Sequence, residues 1–216
     1  MAHFQSTSPQ VVITAFAIGT LVGMVLGRHR TYLFQNRGEA RVAHALRAFG
    51  PPDYHLLNHV TLPLESGSTQ IDHILISRFG VFVIETKDHG GWIFGSAHDR
   101  YWTKVYFGNK YRFQNPLQQN VRHVRATQAL LEFLPPDAVR PMVVFTGNAK
   151  FKTTVPTGVF TLKEMLAYIR AQSTEVMSVN RVQFCVGRLE TARLSISKQT
   201  DVEHVQRIRR RFGIEK

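Results

Sequence analysis

The sequence predicts an α/β domain in which helices flank a mixed central sheet. Two apolar, strand-length runs rich in Val, Ile and Phe surround a short polar turn within residues 70–87, which is typical of a β-hairpin. An amphipathic helical stretch precedes this hairpin, and a second helix followed by a further apolar strand comes after it. The order helix, strands, helix, strand indicates a layered α/β domain.

The first predicted helix of this domain covers residues 37–49. Glu39 begins an i, i+3, i+4, i+7 series that continues through the apolar positions Val42, Ala43 and Leu46. Its carboxylate either enters the buried edge of the domain or remains in solvent, where it stabilises the helix by interacting with the macrodipole. The helix alone supports both interpretations equally. The helix ends before Pro51, and residues 54–62 form the first strand.

The hairpin brings charged residues together at its open end. A two-residue turn at residues 78–79 places Asp72 opposite Glu85, and Lys87 follows on the same face. Facing carboxylates repel each other, so the pair requires a compensating charge. Mg²⁺ supplies one, because it binds one or two carboxylates together with water and phosphate oxygens. The alternative is a Glu85–Lys87 ion pair at a solvated strand end, which leaves Asp72 without a role.

Short strands are predicted next, at residues 92–94, 101–107 and 110–113, with the last two joined at Gly108-Asn109. Their aromatic residues interleave with Arg and Lys, which suits base stacking and phosphate contacts along a nucleic-acid strand. The alternative is a meander that packs its rings inward, and this is the preferred interpretation for Trp102.

A helix over residues 116–134 follows these strands. Asn115 is a good N-cap and Pro116 occupies the first helical position. Gln119 and His123 lie four residues apart and form a polar strip on this helix. Residues 141–146 are the next buried strand.

An Asp followed by Glu-x-Lys at the end of an apolar strand resembles the PD-(D/E)xK phosphodiesterase motif. Further motifs follow in one order: Gly38-Glu39, Gln70-Ile71-Asp72-His73, Gly80 to Lys87, Gly91-Trp92-Ile93, Trp102, and Asn115-Pro116-Leu117-Gln118-Gln119. The series is similar to that of the NERD (nuclease-related) domain, and the resemblance covers roughly residues 36–134.

This resemblance implies a restriction-endonuclease-like core and a Mg²⁺-dependent or Mn²⁺-dependent nuclease, for which DNA is expected as the substrate ahead of RNA. The implied metal ligands are Asp72, Glu85 and the Thr86 carbonyl, and the implied catalytic residues are Glu39, Asp72, Glu85, Lys87 and Gln119. Lys87 would orient the attacking water and counter the charge that builds on the phosphate. The contrasting hypothesis is a non-catalytic scaffold that tethers DNA or partner proteins to a membrane.

The composition agrees with a polyanionic partner. The 216 residues carry a net charge of +12, and the pI is near 10.3. Basic excess of this size favours nucleic acid or an anionic membrane surface as the partner. Cys185 is the single cysteine, which excludes an internal disulfide and a cysteine-based zinc site.

Residues 11–27 carry no charge and predict a transmembrane helix at the short end of what spans a ~30 Å hydrocarbon core. A cleaved signal peptide is the weaker alternative, because Arg28-His29-Arg30 follows the run and no small-x-small site does. Lys and Arg are absent before the segment and present after it, so the positive-inside rule places the single-pass protein in the cell (inner) membrane with its main domain in the cytoplasm.

Small residues recur every four positions within this segment, at Ala15, Gly19, Gly23 and Gly27. Such a stripe allows close helix packing in lipid and predicts a parallel homodimer, although glycine-rich spans also produce this spacing by chance.

The chain divides into three predicted regions. Residues 1–35 contain a polar tip, the membrane helix and a basic linker; residues 36–147 form the nuclease-like domain; and residues 148–216 form a mostly helical extension. In the extension, Thr161 and Glu164 make a capping box, and helices are predicted at residues 178–190 and 200–212. The last helix is rich in arginine, which indicates either a solvated face or a contact with DNA or anionic lipid.

Overall fold

The computed structural model describes residues 37–64 and 67–194. The predicted membrane helix, its small-residue stripe and the arginine-rich helix at residues 200–212 lie outside these residues. Within the described residues, no helix has both the length and the apolar character needed to cross a bilayer.

The chain forms helices and strands in the predicted order. Helix α1 covers residues 37–46. The remaining elements are β1 (Tyr54–Leu64), β2 (Gly67–Ser77), β3 (Gly80–Lys87), β4 (Gly91–Phe94), β5 (Tyr101–Tyr106), β6 (Asn109–Gln114), α2 (Pro116–Leu130), a 3₁₀ turn (Pro136–Ala138), β7 (Val139–Phe145), β8 (Ala149–Phe151), β9 (Val159–Thr161), α3 (Leu162–Arg170) and α4 (Val179–Ala192).

These strands make two sheets. The five-stranded sheet has the order β1-β2-β3-β7-β9, in which β1, β2 and β3 are antiparallel and β7 and β9 run parallel to β3. The four-stranded sheet has the order β6-β5-β4-β8. The prediction of a mixed α/β fold is therefore confirmed, and α2 lies in the crossover between the parallel strands β3 and β7.

Helices cover both faces of the five-stranded sheet. Residues of α2 and α4 pack on one face against Ile74, Ile76, Val81 and Val83. Residues of α1 and α3 pack on the other face against Leu75, Phe82 and Ile84. Each such side chain contributes about 1.5–3 kcal/mol when it is fully buried. The alternating strand residues therefore fix β2 and β3 between two apolar layers.

A third apolar cluster joins the two sheets. Trp102 is fully buried there and stacks on Phe145 with ring centroids 6.3 Å apart. The inward-packing interpretation of Trp102 is confirmed.

The β5–β6 turn differs from the prediction by one residue. Tyr106 pairs with Asn109, so Phe107 and Gly108 form the turn, with φ of 47° and 76°. A two-residue hairpin turn of type I′ requires positive φ at both positions, and the strands adopt this turn although Phe is poorly suited to it.

Helix α2 ends at Leu130, before the predicted residue 134. Leu131 and Leu134 leave the helix and bury their side chains in the core, and Pro135 disfavours helical geometry for the residue before it. The predicted capping box of α3 is confirmed, since Thr161 and Glu164 satisfy each other's backbone N–H groups. Beyond residue 148, the strands β8 and β9 extend the two sheets.

Candidate active site

The acids lie at the point where β2 and β3 separate. The hairpin has the predicted register, but its paired residues end at His73 and Ile84. Asp72 and Glu85 are the next residues and do not form a ladder pair, so the expectation that they face each other as cross-strand partners is wrong. Asp72 Oδ2 instead accepts a hydrogen bond from the Thr86 backbone N at 2.7 Å. A side-chain oxygen thus replaces the carbonyl that would continue the ladder.

Glu85 is buried and bound on both oxygens. Its Oε1 accepts a hydrogen bond from Lys87 Nζ at 2.5 Å, and its Oε2 lies 3.1 Å from His123 Nε2. Lys87 Nζ also donates to Gln119 Oε1 at 3.1 Å. The Glu85–Lys87 ion pair of the alternative interpretation therefore forms, but in a buried setting, since the two side chains are only 2% and 13% exposed.

Glu39 approaches the same region from α1. It is buried, as the buried-edge interpretation expects, and its Oε2 lies 3.4 Å from His59 Nδ1. Gly38 allows this close approach, because a Cβ there would lie 2.7 Å from both Asp88 Cβ and Thr146 Oγ1. A side chain at residue 38 would therefore push α1, and Glu39 with it, away from the ends of β3 and β7.

The electrostatics of the site are those of three carboxylates around one ammonium group. Burial raises the pKa of Glu39 to about 7, and the charge of Glu85 adds to this increase. Burial, followed by the charges of Glu85 and Glu39, raises the pKa of Asp72 well above its usual range. Negative charge is therefore crowded at this end of the hairpin.

Glu85 and Lys87 show the opposite behaviour because they compensate each other. Burial alone would raise the pKa of Glu85, but Lys87 and His123 outweigh it and lower this pKa to about 2. Burial alone would lower the pKa of Lys87, but its ion pair with Glu85 raises it. Lys87 therefore remains protonated and Glu85 ionised at neutral pH.

Helix α2 is fixed in place beside the acids by Asn120. This fully buried side chain donates to the carbonyls of Val83, at 3.0 Å, and Met142, at 2.9 Å. It thereby joins α2 to β3 and β7, the two central parallel strands. Gln119 is held next to Lys87 as a result, and His123 is held next to Glu85.

Asn120 is a member of the site that was not predicted from the sequence, whereas His123 was predicted only as part of a polar strip with Gln119 and lies beside Glu85 in the structure. His123 Nδ1 lies 2.7 Å from Thr69 Oγ1, so the imidazole connects β2 to Glu85. A signal for both residues exists in the sequence: Asn120, His123 and Thr127 follow an i, i+3, i+7 spacing, and this buried stripe of α2 is polar. Polar residues on a buried face require hydrogen-bond partners.

His59 also lies at the site, beside Glu39, but the sequence contains no comparable signal for it. It has a φ of 51°, a left-handed conformation that is uncommon for a residue with a side chain. The β1–β2 pairing is interrupted at the same place, because the pairs run from Asn58 and His73 to Val60 and Ile71 and omit His59 and Asp72. Asp72 therefore has no backbone ladder partner on either neighbouring strand.

The donor atoms suit a hard divalent cation that also takes water and phosphate ligands. In the described part of the chain, no three His, Cys, Asp or Glu side chains are close enough to hold a metal by themselves. Mg²⁺ requires only one or two protein carboxylates. Asp72 uses only Oδ2 for hydrogen bonding to the described residues, which leaves Oδ1 for a cation. A bound cation would also offset the repulsion that adds to burial in raising the pKa values of Glu39 and Asp72.

Comparisons with known proteins match the part of the chain that contains this candidate site. The family described as the nuclease-related domain (NERD) matches residues 35–146, which include every predicted site residue. An uncharacterized protein of Bacillus anthracis is 46% identical over 96 residues. The matched part is 44% of this chain and 45% of that protein, so the match spans less than half of either. No solved structure matches the chain significantly.

Proposed function

Because the chain belongs to the nuclease-related domain (NERD) family, we propose that it is a metal-dependent nuclease that hydrolyses phosphodiester bonds of DNA. The observation that carries this proposal is the convergence of Asp72, Glu85 and Lys87 where β2 and β3 separate. Carboxylates and an ammonium group in one buried cluster suit phosphoryl chemistry, in which a cation and a lysine offset the charge of the phosphate.

In this proposal, Asp72 and Glu85 hold Mg²⁺ or Mn²⁺ with the help of the Thr86 backbone carbonyl. A bound divalent cation would polarise the phosphoryl oxygen, and it would lower the pKa of the water bound to it towards neutral values. The PD-(D/E)xK assignment of the cluster belongs to this proposal, as does the choice of DNA as the substrate.

Lys87 contributes positive charge at a fixed place. Its ammonium group is held between Glu85 and Gln119, so it enters the reaction already oriented and does not lose side-chain entropy at that point. Its one remaining N–H donates to the attacking water, and its charge counters the negative charge that builds on the phosphate. Glu39 and Gln119 complete the polar wall around the reacting group.

A second function is favoured by one specific observation. Both oxygens of Glu85 are already engaged, by Lys87 and by His123, which is the arrangement of a satisfied structural ion pair. A protein that keeps this arrangement permanently would bind nucleic acid or hold it at a membrane without cutting it. Divalent cations distinguish the two functions, because they would support cleavage of the nucleic acid only if the protein is a nuclease.

The membrane attachment is a further part of the proposal. Residues 11–27 would anchor the protein as a single-pass helix in the cell (inner) membrane, with the nuclease domain in the cytoplasm. The stripe of small residues at Ala15, Gly19, Gly23 and Gly27 would let two anchors pack in parallel.

Plasmid nicking tests the proposed chemistry. The purified protein should nick supercoiled DNA with Mg²⁺ or Mn²⁺ and should be inactive in EDTA. Lys87→Ala and Asp72→Ala should each lower the nicking rate by about 10²-fold or more, since each removes a charge that acts on the phosphate or its cation. Gel separation of nicked and supercoiled plasmid measures the rate.

Lys163→Ala is the matched control, because Lys163 is an exposed lysine on α3, and it should nick at the wild-type rate. Undiminished nicking by either site variant would place the chemistry elsewhere. A wild-type protein that binds DNA and RNA but cuts neither with any divalent cation would favour the scaffold function.

A further inference from the structure

One face of the four-stranded sheet is open in the described part of the chain. Ile93 and Trp102 are buried on the opposite face, so period-two alternation and the strand register assign the neighbouring residues to the open face. We define the aromatic face by six of these residues, none of which is buried: Trp92, Phe94, Tyr101, Lys110, Arg112 and Lys150. Trp92 is 50% exposed and Phe94 is 37% exposed.

Cations lie over the rings of this face. Lys152 Nζ lies 4.7 Å from the ring centroid of Trp92. The Arg112 and Arg100 guanidinium carbons lie 4.9 Å and 5.5 Å from the ring centroid of Tyr101. The strands β4, β5, β6 and β8 contain no Asp or Glu in the described chain. The charged side chains of these four strands are therefore all positive and lie among aromatic rings.

Such a surface matches the two repeating parts of a single-stranded nucleic acid. Unpaired bases stack on aromatic rings and on guanidinium groups, while the backbone phosphates require positive charge. A duplex presents its phosphates in the same way but keeps its bases stacked inside the helix, so it cannot use exposed rings. Lys110, Arg112 and Lys150 interrupt the apolar area, which makes the face less suited to insertion into lipid.

We propose that the aromatic face binds single-stranded nucleic acid by base stacking on Trp92, Phe94 and Tyr101. Its use in substrate selection rests on the proposed nuclease function, because the face would then supply the cleavage site with single strands, flaps or ends. The binding itself requires no cleavage.

The position of the sheet in the chain supports a shared substrate. Only three residues separate Lys87 from the first residue of β4, Gly91. Within that connection, the ring of His89 packs on Phe113 of β6 with centroids 4.7 Å apart. The four-stranded sheet is thus fixed directly to the end of β3 that carries the candidate active site.

Oligonucleotide binding in EDTA tests the inference without cleavage. The full-length protein in detergent is titrated into fluorescein-labelled oligothymidine of about 15 nucleotides, and anisotropy reports the affinity. Trp92→Leu should weaken binding by about tenfold, because it removes one stacking platform and keeps the charge. Phe184→Leu is the matched control, since Phe184 is also an exposed aromatic residue, on α4, and should bind as the wild type does.

Tryptophan emission gives a second readout. Trp102 is buried, so oligothymidine should quench mainly the emission of Trp92. Trp92→Phe should keep the affinity and lose most of the quenching. Trp92→Leu should weaken the binding of a blunt duplex of equal length much less than it weakens the binding of oligothymidine.

Equal oligothymidine affinities of Trp92→Leu and wild type would overturn the inference. The inference would also be overturned if Trp92→Leu weakened the binding of duplex and single strand equally. The same holds if Trp92→Leu weakened only the binding of vesicles that contain phosphatidylserine. The outcome is separable from the proposed function: a protein that never nicks DNA but shows the Trp92 effect retains the binding face, and a protein that nicks normally without the Trp92 effect does not have it.

Discussion

Glu39 illustrates how a single residue acquires its properties from its surroundings. A glutamate in the first turn of a helix usually faces solvent and favours the macrodipole. Here Gly38 brings α1 so close to the strand ends that the Glu39 carboxyl is buried beside His59 and within the field of Glu85. The same carboxyl therefore holds its proton up to a pH near 7.

The raised pKa of Glu39 predicts a specific dependence of stability on pH. A carboxyl whose pKa rises from 4.5 to about 7 on folding binds its proton more tightly in the native state, so the metal-free protein loses stability as pH rises through this window. Glu39→Gln removes this loss. In EDTA, its free energy of unfolding should gain on the order of 2 kcal/mol relative to wild type between pH 4.5 and 7.

Urea denaturation at several pH values measures this difference. Glu132→Gln replaces an exposed glutamate and should follow the wild-type curve throughout. The expectation fails if the curves of Glu39→Gln and wild type stay parallel across the window. Glu85 acts with the opposite sign, since its pKa of about 2 adds stability above pH 4.5 that is lost as pH falls towards 2.

At the scale of the element, the alternation of side chains between the two sheet faces is interrupted in β1 at His59. Leu57 and Val60 pack in the same apolar cluster although they are three residues apart, which a regular strand does not allow. The left-handed backbone of His59 produces this change and leaves Asp72 without a ladder partner. A break in one strand thus keeps an acid on the next strand available for chemistry.

The left-handed conformation predicts an unusual order of stability. His59→Gly should be more stable than His59→Ala by about 1 kcal/mol, because glycine adopts positive φ without the steric cost that Ala bears. Both variants lose the imidazole beside Glu39, so their difference isolates the backbone. Thermal or urea unfolding of the two purified variants gives the value.

The same pair at His55 is the control, since this residue lies in the regular part of β1 opposite Ile76. There Ala should be the more stable variant, because glycine weakens an extended strand. If Ala is also the better residue at position 59, the strand does not need its left-handed residue.

At the scale of the whole molecule, two features of the sequence bear on what the protein attaches to. The net charge of +12 suits nucleic acid and an anionic bilayer equally. The uncharged segment at residues 11–27 is the basis of the proposed membrane anchor. Charge and apolar length therefore make separable predictions about attachment.

Cell fractionation separates the two contributions. The full-length protein should sediment with membranes, resist high-salt washing and dissolve in detergent. The double variant Ile18→Arg and Leu21→Arg should move to the soluble fraction, because each arginine near the centre of a membrane helix costs about 2.5–3.5 kcal/mol. Replacing Arg209, Arg210 and Arg211 with Ala should leave the protein in the membrane fraction. Release of this arginine variant, and retention of the double variant, would indicate electrostatic attachment instead.

The sequence by itself determined most of the elements and their order, although the short strand β8 was not predicted from it. Alternating apolar residues and a two-residue turn specify the register of β2 and β3, and local capping groups specify where α2 and α3 begin. These signals are local, because side-chain direction repeats every two residues in a strand and cap partners lie within one helical turn. The grouping of Asp72, Glu85 and Lys87 follows from the same local rules.

Only the tertiary structure decided how these residues interact. The separation of β2 from β3 gave Asp72 a backbone N–H as its partner in place of Glu85. The anchoring of α2 by Asn120 brought Gln119 to Lys87, from 32 residues away in the chain, and His123 to Glu85. Hydrogen bonds between distant residues and the burial that shifts a pKa depend on packing, and packing has no period in the sequence from which it could be predicted.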